Sequence, residues 1–271
     1  MNLTAKSKNK FTVSKTAIPN KSVKFTAMVV VEKAIVREWA GKEHKEVSYS
    51  PLLMGKKVQV CDAILSNAGN VWYYIKVGSH YGFIHSERVV GIPVMALRVV
   101  DYLDAVHEYV KDHYKYFIND YNGEITTFAD AKSRVKSKRK VGITCVVPLR
   151  FALHYFGIKN GNGKSLISAP DGSFEKYYTG DVKKKMTRIT KGKPIGMNIV
   201  QAIDDGLLID GDIVCYKGIT HTSVFSGNGY KFYEGGGACV KDGHYPNGIL
   251  LDYSKNFYKD KKIAEILRWK E

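Results

Sequence analysis

Two short apolar runs flank the dipeptide Asn228-Gly229, and this arrangement constrains the fold more than any other feature of the sequence. The first run begins at His221 and the second ends at Glu234. An Asn-Gly pair between such runs is a strong signal for a tight turn joining two antiparallel strands. We therefore expect a β-hairpin over residues 221–234.

The length of the hairpin loop decides which side chain lies beside His221. With a two-residue loop at Asn228-Gly229, Ser223 pairs with Glu234, and Glu234 shares a face with His221. A three-residue loop shifts the register by one residue and turns Glu234 away, so that Tyr233 becomes the neighbour. The sequence leaves both registers open.

A cysteine precedes an apolar helical pattern well before this hairpin. Behind Cys145, the pattern consists of Val146, Leu149, Leu153 and Phe156. Gly157 ends the predicted helix, and Thr144 is the expected N-cap. The start of a helix carries the positive end of its dipole, which favours a thiolate. We therefore expect Cys145 in an environment that activates it.

Between residues 24 and 95, apolar and polar residues alternate with period two. Strand-like runs cover 24–30, 57–61, 71–77 and 81–85, and regular turns between them predict a small barrel. Four segments here resemble the bacterial SH3 (SH3b) pattern, in which a Val-Arg pair precedes a G-x-x-V strand, a strand that opens with Trp and a closing G-Y/F-V strand. They are Val36-Arg37, Leu53 to Val58, Trp72 to Val77, and Tyr81 to His85. The resemblance implies a module that binds peptidoglycan.

Three later segments carry a second resemblance. They are Thr144 to Val147, Gly211 to Val214, and His221 to Gly229. They look like the D-C-S-G nucleophile, the G-D-L-V strand and the H-V-G-I-Y-x-G-N-G hairpin of the NlpC/P60 family of cell-wall cysteine peptidases, with CHAP amidases close by. Thr144 replaces the family's Asp, and Val146-Val147 replaces Ser-Gly. The resemblance covers residues 141–271.

This second resemblance implies that Cys145 is the nucleophile and His221 the general base. A thiol needs a base within hydrogen-bond reach, and the imidazole must return the proton to the leaving amine. A third polar group should orient the imidazole, and we expect Glu234, or Tyr233 in the shifted register. The backbone N–H of Cys145 is the expected oxyanion donor.

The net charge and the composition limit which partners, metals and cofactors the chain is expected to bind. The formal net charge of +16 favours anionic surroundings, which include nucleic acid, a membrane surface and a cell wall. No nucleic-acid-binding motif, membrane-spanning apolar run or apolar leader segment is visible. The four cysteines show no zinc spacing, so we expect neither a metal nor a cofactor.

Together these features predict an α+β protein. The expected domains are an N-terminal arm (1–23), an SH3b-like β-barrel (24–95), a connecting helix with a basic linker (96–140) and a papain-like NlpC/P60 domain with helices on an antiparallel sheet (141–271). The connecting helix is expected over 101–122, with Asp101 as its N-cap and Leu103, Val106, Val110 and Phe117 on one face.

The expected function is hydrolysis of an amide or peptide bond of the peptidoglycan stem by a cysteine peptidase or amidase. The expected partners are peptidoglycan and anionic wall polymers, and neither nucleic acid nor membrane insertion is expected. The expected site of action is the cell wall, reached by phage delivery or by release at lysis. The alternative, favoured by the altered nucleophile segment, is a catalytically degenerate wall-binding or phage tail structural protein.

Overall fold

The computed structural model describes residues 19–120, 127–159, 178–190, 196–219 and 221–271. Most of the expected N-terminal arm lies outside these ranges. The chain divides into two units. The first holds the described residues up to Pro93, together with Ala202–Asp210 and Gly227–Gly229, and the second holds Val94–Gln201, Gly211–Ser226 and Tyr230–Glu271. Helices and antiparallel sheets occur together, so the predicted α+β class is confirmed.

The described part of the first unit contains eight β-strands. They are β1 (Phe25–Val29), β2 (Lys33–Ala34), β3 (Val36–Arg37), β4 (Leu52–Leu53), β5 (Lys57–Leu65), β6 (Val71–Val77), β7 (His80–His85) and β8 (Val89–Gly91). Six of them form one antiparallel sheet in the order β3-β7-β6-β5-β1-β8, and β2 pairs with β4. On β6, Trp72 and Ile75 are buried, whereas Tyr73 and Tyr74 are partly exposed. Because side chains alternate along a strand, Trp72 and Ile75 lie on opposite faces of the sheet, each in a different apolar cluster.

The second unit begins with α1 (Val94–Asp112). The helix starts just after Pro93 and ends before Phe117, so the predicted span of 101–122 is wrong at both ends. Asp101 lies inside the helix, and Phe117 belongs to the short strand β9 (Phe117–Ile118). The apolar spacing that predicted one helix therefore extends over two elements, α1 and β9, because the apolar side chains of both are buried.

The other elements of the second unit follow in chain order. They are α2 (Phe128–Lys136), β10 (Val141–Gly142), α3 (Val147–Tyr155), α4 (Gly180–Lys185), β11 (Met186–Arg188), α5 (Ile199–Asp204), β12 (Ile213–Tyr216), β13 (Thr222–Phe225), β14 (Lys231–Tyr233), β15 (Leu250–Asp252) and β16 (Ile263–Trp269). The last three residues of α5 are counted with the first unit.

The sheet of the second unit positions the candidate site. Its strand order is β11-β16-β12-β13-β14-β15, and all of its pairings are antiparallel. Helix α1 packs against α3 and β16. In the described part of the chain, no helix has both the length and the apolar character needed to cross a membrane.

Candidate active site

The hairpin register brings Glu234 to the side of His221. Strands β13 and β14 pair Val224 with Tyr233. Continued by one residue, this register sets Ser223 opposite Glu234. Because side chains alternate along a strand, His221, Ser223 and Glu234 then share one face.

The loop that joins β13 and β14 is longer than two residues, but its number of residues is also even. Strand β13 ends at Phe225 and β14 begins at Lys231. Ser226 N–H donates to the carbonyl of Lys231 at 3.1 Å, so this pair closes a loop of four residues, 227–230. Gly227 and Gly229 adopt φ values of 69° and 58°, which are readily accessible only to glycine. An even number of loop residues preserves the face on which Glu234 lies.

Tyr233 faces away from the imidazole. Its hydroxyl donates to the Oδ1 atom of Asp104 on α1. The side chain that neighbours His221 is therefore Glu234.

His221, Glu234 and Tyr253 form a buried hydrogen-bonded cluster. Nε2 of His221 lies 2.7 Å from Oε2 of Glu234 and 3.0 Å from the hydroxyl of Tyr253. The Tyr253 hydroxyl also donates to Oε2 of Glu234. His221 is 4% exposed, and the other two residues are fully buried. Water therefore competes little for these contacts.

Cys145 completes the arrangement, because its side chain is hydrogen-bonded to His221. Since Nε2 of the imidazole faces Glu234, Nδ1 is the ring nitrogen left for the thiol. Cys145 is half-buried. The structure thus places a thiol, an imidazole and a carboxylate in sequence, as nucleophilic catalysis requires.

The helix behind the cysteine starts later than predicted. Helix α3 begins at Val147, and its N-cap is Val146, which makes no side-chain capping bond. Thr144 is therefore not the N-cap. Instead, its carbonyl accepts the N–H of Val147 at 3.0 Å and closes a turn around Cys145. Pro148 lies in the first helical turn, where its missing N–H costs nothing.

A loop after Glu234 packs closely against the segment that carries Cys145. A Cβ atom on Gly235 would lie 2.4 Å from the carbonyl oxygen of Thr144, so only glycine fits there. The buried hydroxyl of Tyr245 donates to the carbonyl of Ile143 at 2.7 Å and accepts the N–H of Gly236 at 2.9 Å. These contacts fix the distance between the nucleophile segment and the hairpin.

The surroundings of His221 favour its protonated form. Burial alone would lower the pKa of His221, but the hydrogen bonds to Cys145 and Glu234 outweigh it and raise the pKa to about 9. The imidazole is therefore cationic at neutral pH, where it stabilises a neighbouring thiolate.

Aromatic rings enclose the imidazole. Tyr258 stacks on His221 with ring centroids 4.4 Å apart and an interplanar angle of 14°. Tyr216 approaches the same ring at 4.9 Å and lies parallel to Tyr253. Such rings hold the imidazole in one orientation and limit the access of water.

Of the other cysteines, Cys239 lies beside the cluster, since its thiol donates to the carbonyl of Glu234 at 3.7 Å. Cys61 and Cys215 are buried on β5 and β12, and burial raises the pKa of Cys215 to about 12. None of the four cysteines, all of which lie in the described ranges, forms a disulfide bond. His154 is exposed on α3, and Nδ1 of His244 lies 3.3 Å from the carbonyl of Phe117. Across the described ranges, no three His, Cys, Asp or Glu side chains are grouped to hold a metal ion.

Sequence reasoning missed Tyr245, Tyr253 and Tyr258. Tyr253 directly follows β15, a three-residue strand that pairs with β14. A strand this short has too few alternations to stand out from a loop. The one available signal was the tyrosine-rich composition of the C-terminal region.

Neither a scan against protein-family models nor a search of curated proteins found a match. Among solved structures, the chain is similar to NlpC2 of Trichomonas vaginalis, at 13% identity and a TM-score of 0.33, over 91% of this chain and 73% of that one. It is also similar to NlpC1 of the same organism, at 13% identity and a TM-score of 0.32, over 91% of this chain and 70% of that one.

Proposed function

We propose that this chain is a cysteine peptidase or amidase of the NlpC/P60 type that hydrolyses an amide bond of the peptidoglycan stem peptide. The observation that carries the proposal is the buried contact between His221 and Glu234 at 2.7 Å, with the Cys145 side chain hydrogen-bonded to the same imidazole. A structural cysteine has no need of an imidazole held in this way.

The proposed reaction follows the order of these contacts. The thiolate of Cys145 attacks the amide carbonyl carbon, and the backbone N–H of Cys145 stabilises the oxyanion. The imidazolium of His221 gives its proton to the leaving amine as the C–N bond breaks. His221 then takes a proton from water, which attacks the thioester, releases the acid and regenerates the thiolate of Cys145 beside the imidazolium. Glu234 stays ionised and holds the imidazole throughout.

In this proposal the first unit carries the enzyme to its substrate. Its sequence resembles SH3b modules, and its strands form an antiparallel sheet. A surface groove of about 430 Å³ lies on this unit. The groove is lined by Glu38, Lys45, Glu46, Val47, Ser48, Tyr49, His80 and Tyr81. Aromatic rings beside charged groups of both signs suit the amide and amino-acid groups of a wall peptide.

The net charge of +16 suits a wall that contains anionic polymers. Delivery by a phage, or release at lysis, is part of the proposal. The alternative is a wall-binding or tail structural protein that has lost catalysis, and the replacement of the family's Ser-Gly by Val146-Val147 favours it.

The test compares wild type with Cys145→Ala on purified cell walls. We expect the variant to abolish the loss of turbidity and to retain wall binding in a pull-down assay. Cys61→Ala, which removes a buried thiol of the first unit, is the matched control and should lyse walls like wild type. Mass spectrometry of the released fragments identifies the bond. Unchanged lysis by Cys145→Ala would overturn the proposed function.

A further inference from the structure

Tyr253 makes contacts that the three-residue arrangement does not require. Its hydroxyl donates to Oε2 of Glu234, and Nε2 of His221 lies 3.0 Å from the same hydroxyl. The imidazole and the phenol thus converge on one carboxylate oxygen. The other oxygen, Oε1 of Glu234, is buried without a hydrogen-bond partner among the described residues.

This asymmetry needs an explanation, because a carboxylate with one donor can rotate and offer either oxygen to the imidazole. A second donor on Oε2 removes that freedom. It also stabilises the buried negative charge of Glu234, for which the imidazole would otherwise be the one hydrogen-bond donor. The phenol therefore orients the carboxylate.

The position of Tyr253 is itself well fixed. Its backbone N–H donates to the carbonyl of Tyr230 at 2.8 Å, next to the pairing of β14 with β15. Its ring lies within 2° of parallel to that of Tyr216. The side chain is fully buried. A hydroxyl held in this way is oriented before any substrate arrives.

The Tyr253 hydroxyl also keeps its proton. Burial, reinforced by the nearby Tyr216 and Glu234, raises the pKa of Tyr253 well above its usual value. The phenol is therefore a donor over the whole range in which the imidazole titrates. Its effect on Glu234 does not change with pH.

We infer that Tyr253 is a positioning residue of the active site, which holds the carboxylate of Glu234 on His221 and thereby sustains the thiolate form of Cys145. The inference rests on the proposed function and adds a fourth residue to the proposed active site of Cys145, His221 and Glu234. Tyr253 touches no substrate and acts through Glu234.

The test measures the alkylation of Cys145 by iodoacetamide between pH 5 and 9, read by mass spectrometry of the Cys145 peptide. For Tyr253→Phe we expect alkylation near pH 6 to slow about tenfold, which corresponds to the loss of one hydrogen bond to a charged group. The whole pH profile should move to higher pH. Tyr178→Phe is the matched control, since it removes a hydroxyl that donates to the carbonyl of Met186 at 2.9 Å. Its profile should overlay that of wild type.

A double variant separates positioning from packing. If Tyr253 acts through Glu234, Tyr253→Phe adds nothing to Glu234→Gln. An equal additional loss in that background would overturn the inference. If Tyr253→Phe does not fold, 3-fluorotyrosine at position 253 keeps the shape and strengthens the donor, and the profile should then move to lower pH.

The outcomes distinguish this inference from the proposed function. A reactive wild-type Cys145 with an unchanged Tyr253→Phe profile overturns the role of Tyr253 alone. A wild-type Cys145 that stays inert across the pH range overturns the proposed function, and the inference falls with it.

Discussion

Glu234 lies 13 residues beyond His221 in the chain, yet its Oε2 atom comes within 2.7 Å of Nε2 of that histidine. The hairpin between them sets this contact, because its register turns both side chains to one face. A shift of one residue would have presented Tyr233 instead. The geometry of the candidate site thus depends on the parity of one loop.

The contact predicts a strong effect of Glu234→Gln. The amide keeps the shape of the carboxylate but cannot stabilise an imidazolium by charge. We expect the pKa of His221 to fall from about 9 towards its usual range, and wall hydrolysis at neutral pH to fall at least about tenfold. NMR titration of the His221 ring measures the first effect, and turbidity loss measures the second. Glu87→Gln, on an exposed residue of the first unit, is the control. A His221 titration unaffected by Glu234→Gln would contradict this account.

The raised pKa of His221 also predicts how stability depends on pH. Its folded-state pKa of about 9 lies above the ordinary histidine pKa of 6.5. The folded protein therefore binds the proton more tightly than the unfolded chain does. The resulting stabilisation is complete below about pH 6.5 and is lost as pH rises through about 9. We expect the Tm of wild type to fall by several degrees across this window.

His221→Gln is the control for this second prediction, because it removes the titrating group. The difference in Tm between wild type and the variant should shrink as pH rises from 6.5 to 9, as measured by differential scanning calorimetry. A constant difference would show that the proton on His221 does not contribute to folding.

The close packing behind Cys145 predicts that alanine substitutions at two nearby glycines have different effects on stability and activity. A Cβ on Gly235 would lie 2.2 Å from Cγ2 of Ile143, so Gly235→Ala must displace the nucleophile segment. We expect it to cost about 1–3 kcal/mol of stability and most of the hydrolytic activity. A Cβ on Gly237 meets nothing within 4 Å, so Gly237→Ala is a matched control. Urea unfolding and wall turbidity measure both, and equal behaviour of the two variants would argue against this packing.

A buried ion pair predicts the largest loss of stability away from the site. Arg268 on β16 donates from Nε and Nη2 to the two carboxylate oxygens of Asp212, at 2.9 and 2.6 Å. Asp212 is 1% exposed, so Arg268→Ala leaves a buried charge without this partner. We expect about 3–5 kcal/mol of destabilisation in urea unfolding. Arg139→Ala, at an exposed position, should change stability by less than about 0.5 kcal/mol. A small loss of stability in Arg268→Ala would mean that other neighbours of Asp212 stabilise its buried negative charge.

The sequence by itself determined the α+β class and the hairpin at Asn228-Gly229. These features are local, because alternation and turn residues act over a few neighbouring positions. Cys145 and His221 were also identifiable from their segments, and Glu234 was one of two candidates for the third residue. Their catalytic role remains a proposal.

Only the tertiary structure decided between Glu234 and Tyr233, and it alone brought Tyr253 and Tyr245 to the site. It also showed that α3 begins at Val147 and α1 at Val94, which differ from the starts expected from the sequence. These features depend on contacts between segments distant in the chain. The Tyr245 hydroxyl, for example, reaches the carbonyl of Ile143 across 102 residues. The periodicity of a sequence carries no information about such pairings, since burial and hydrogen bonding select them only when the whole unit packs.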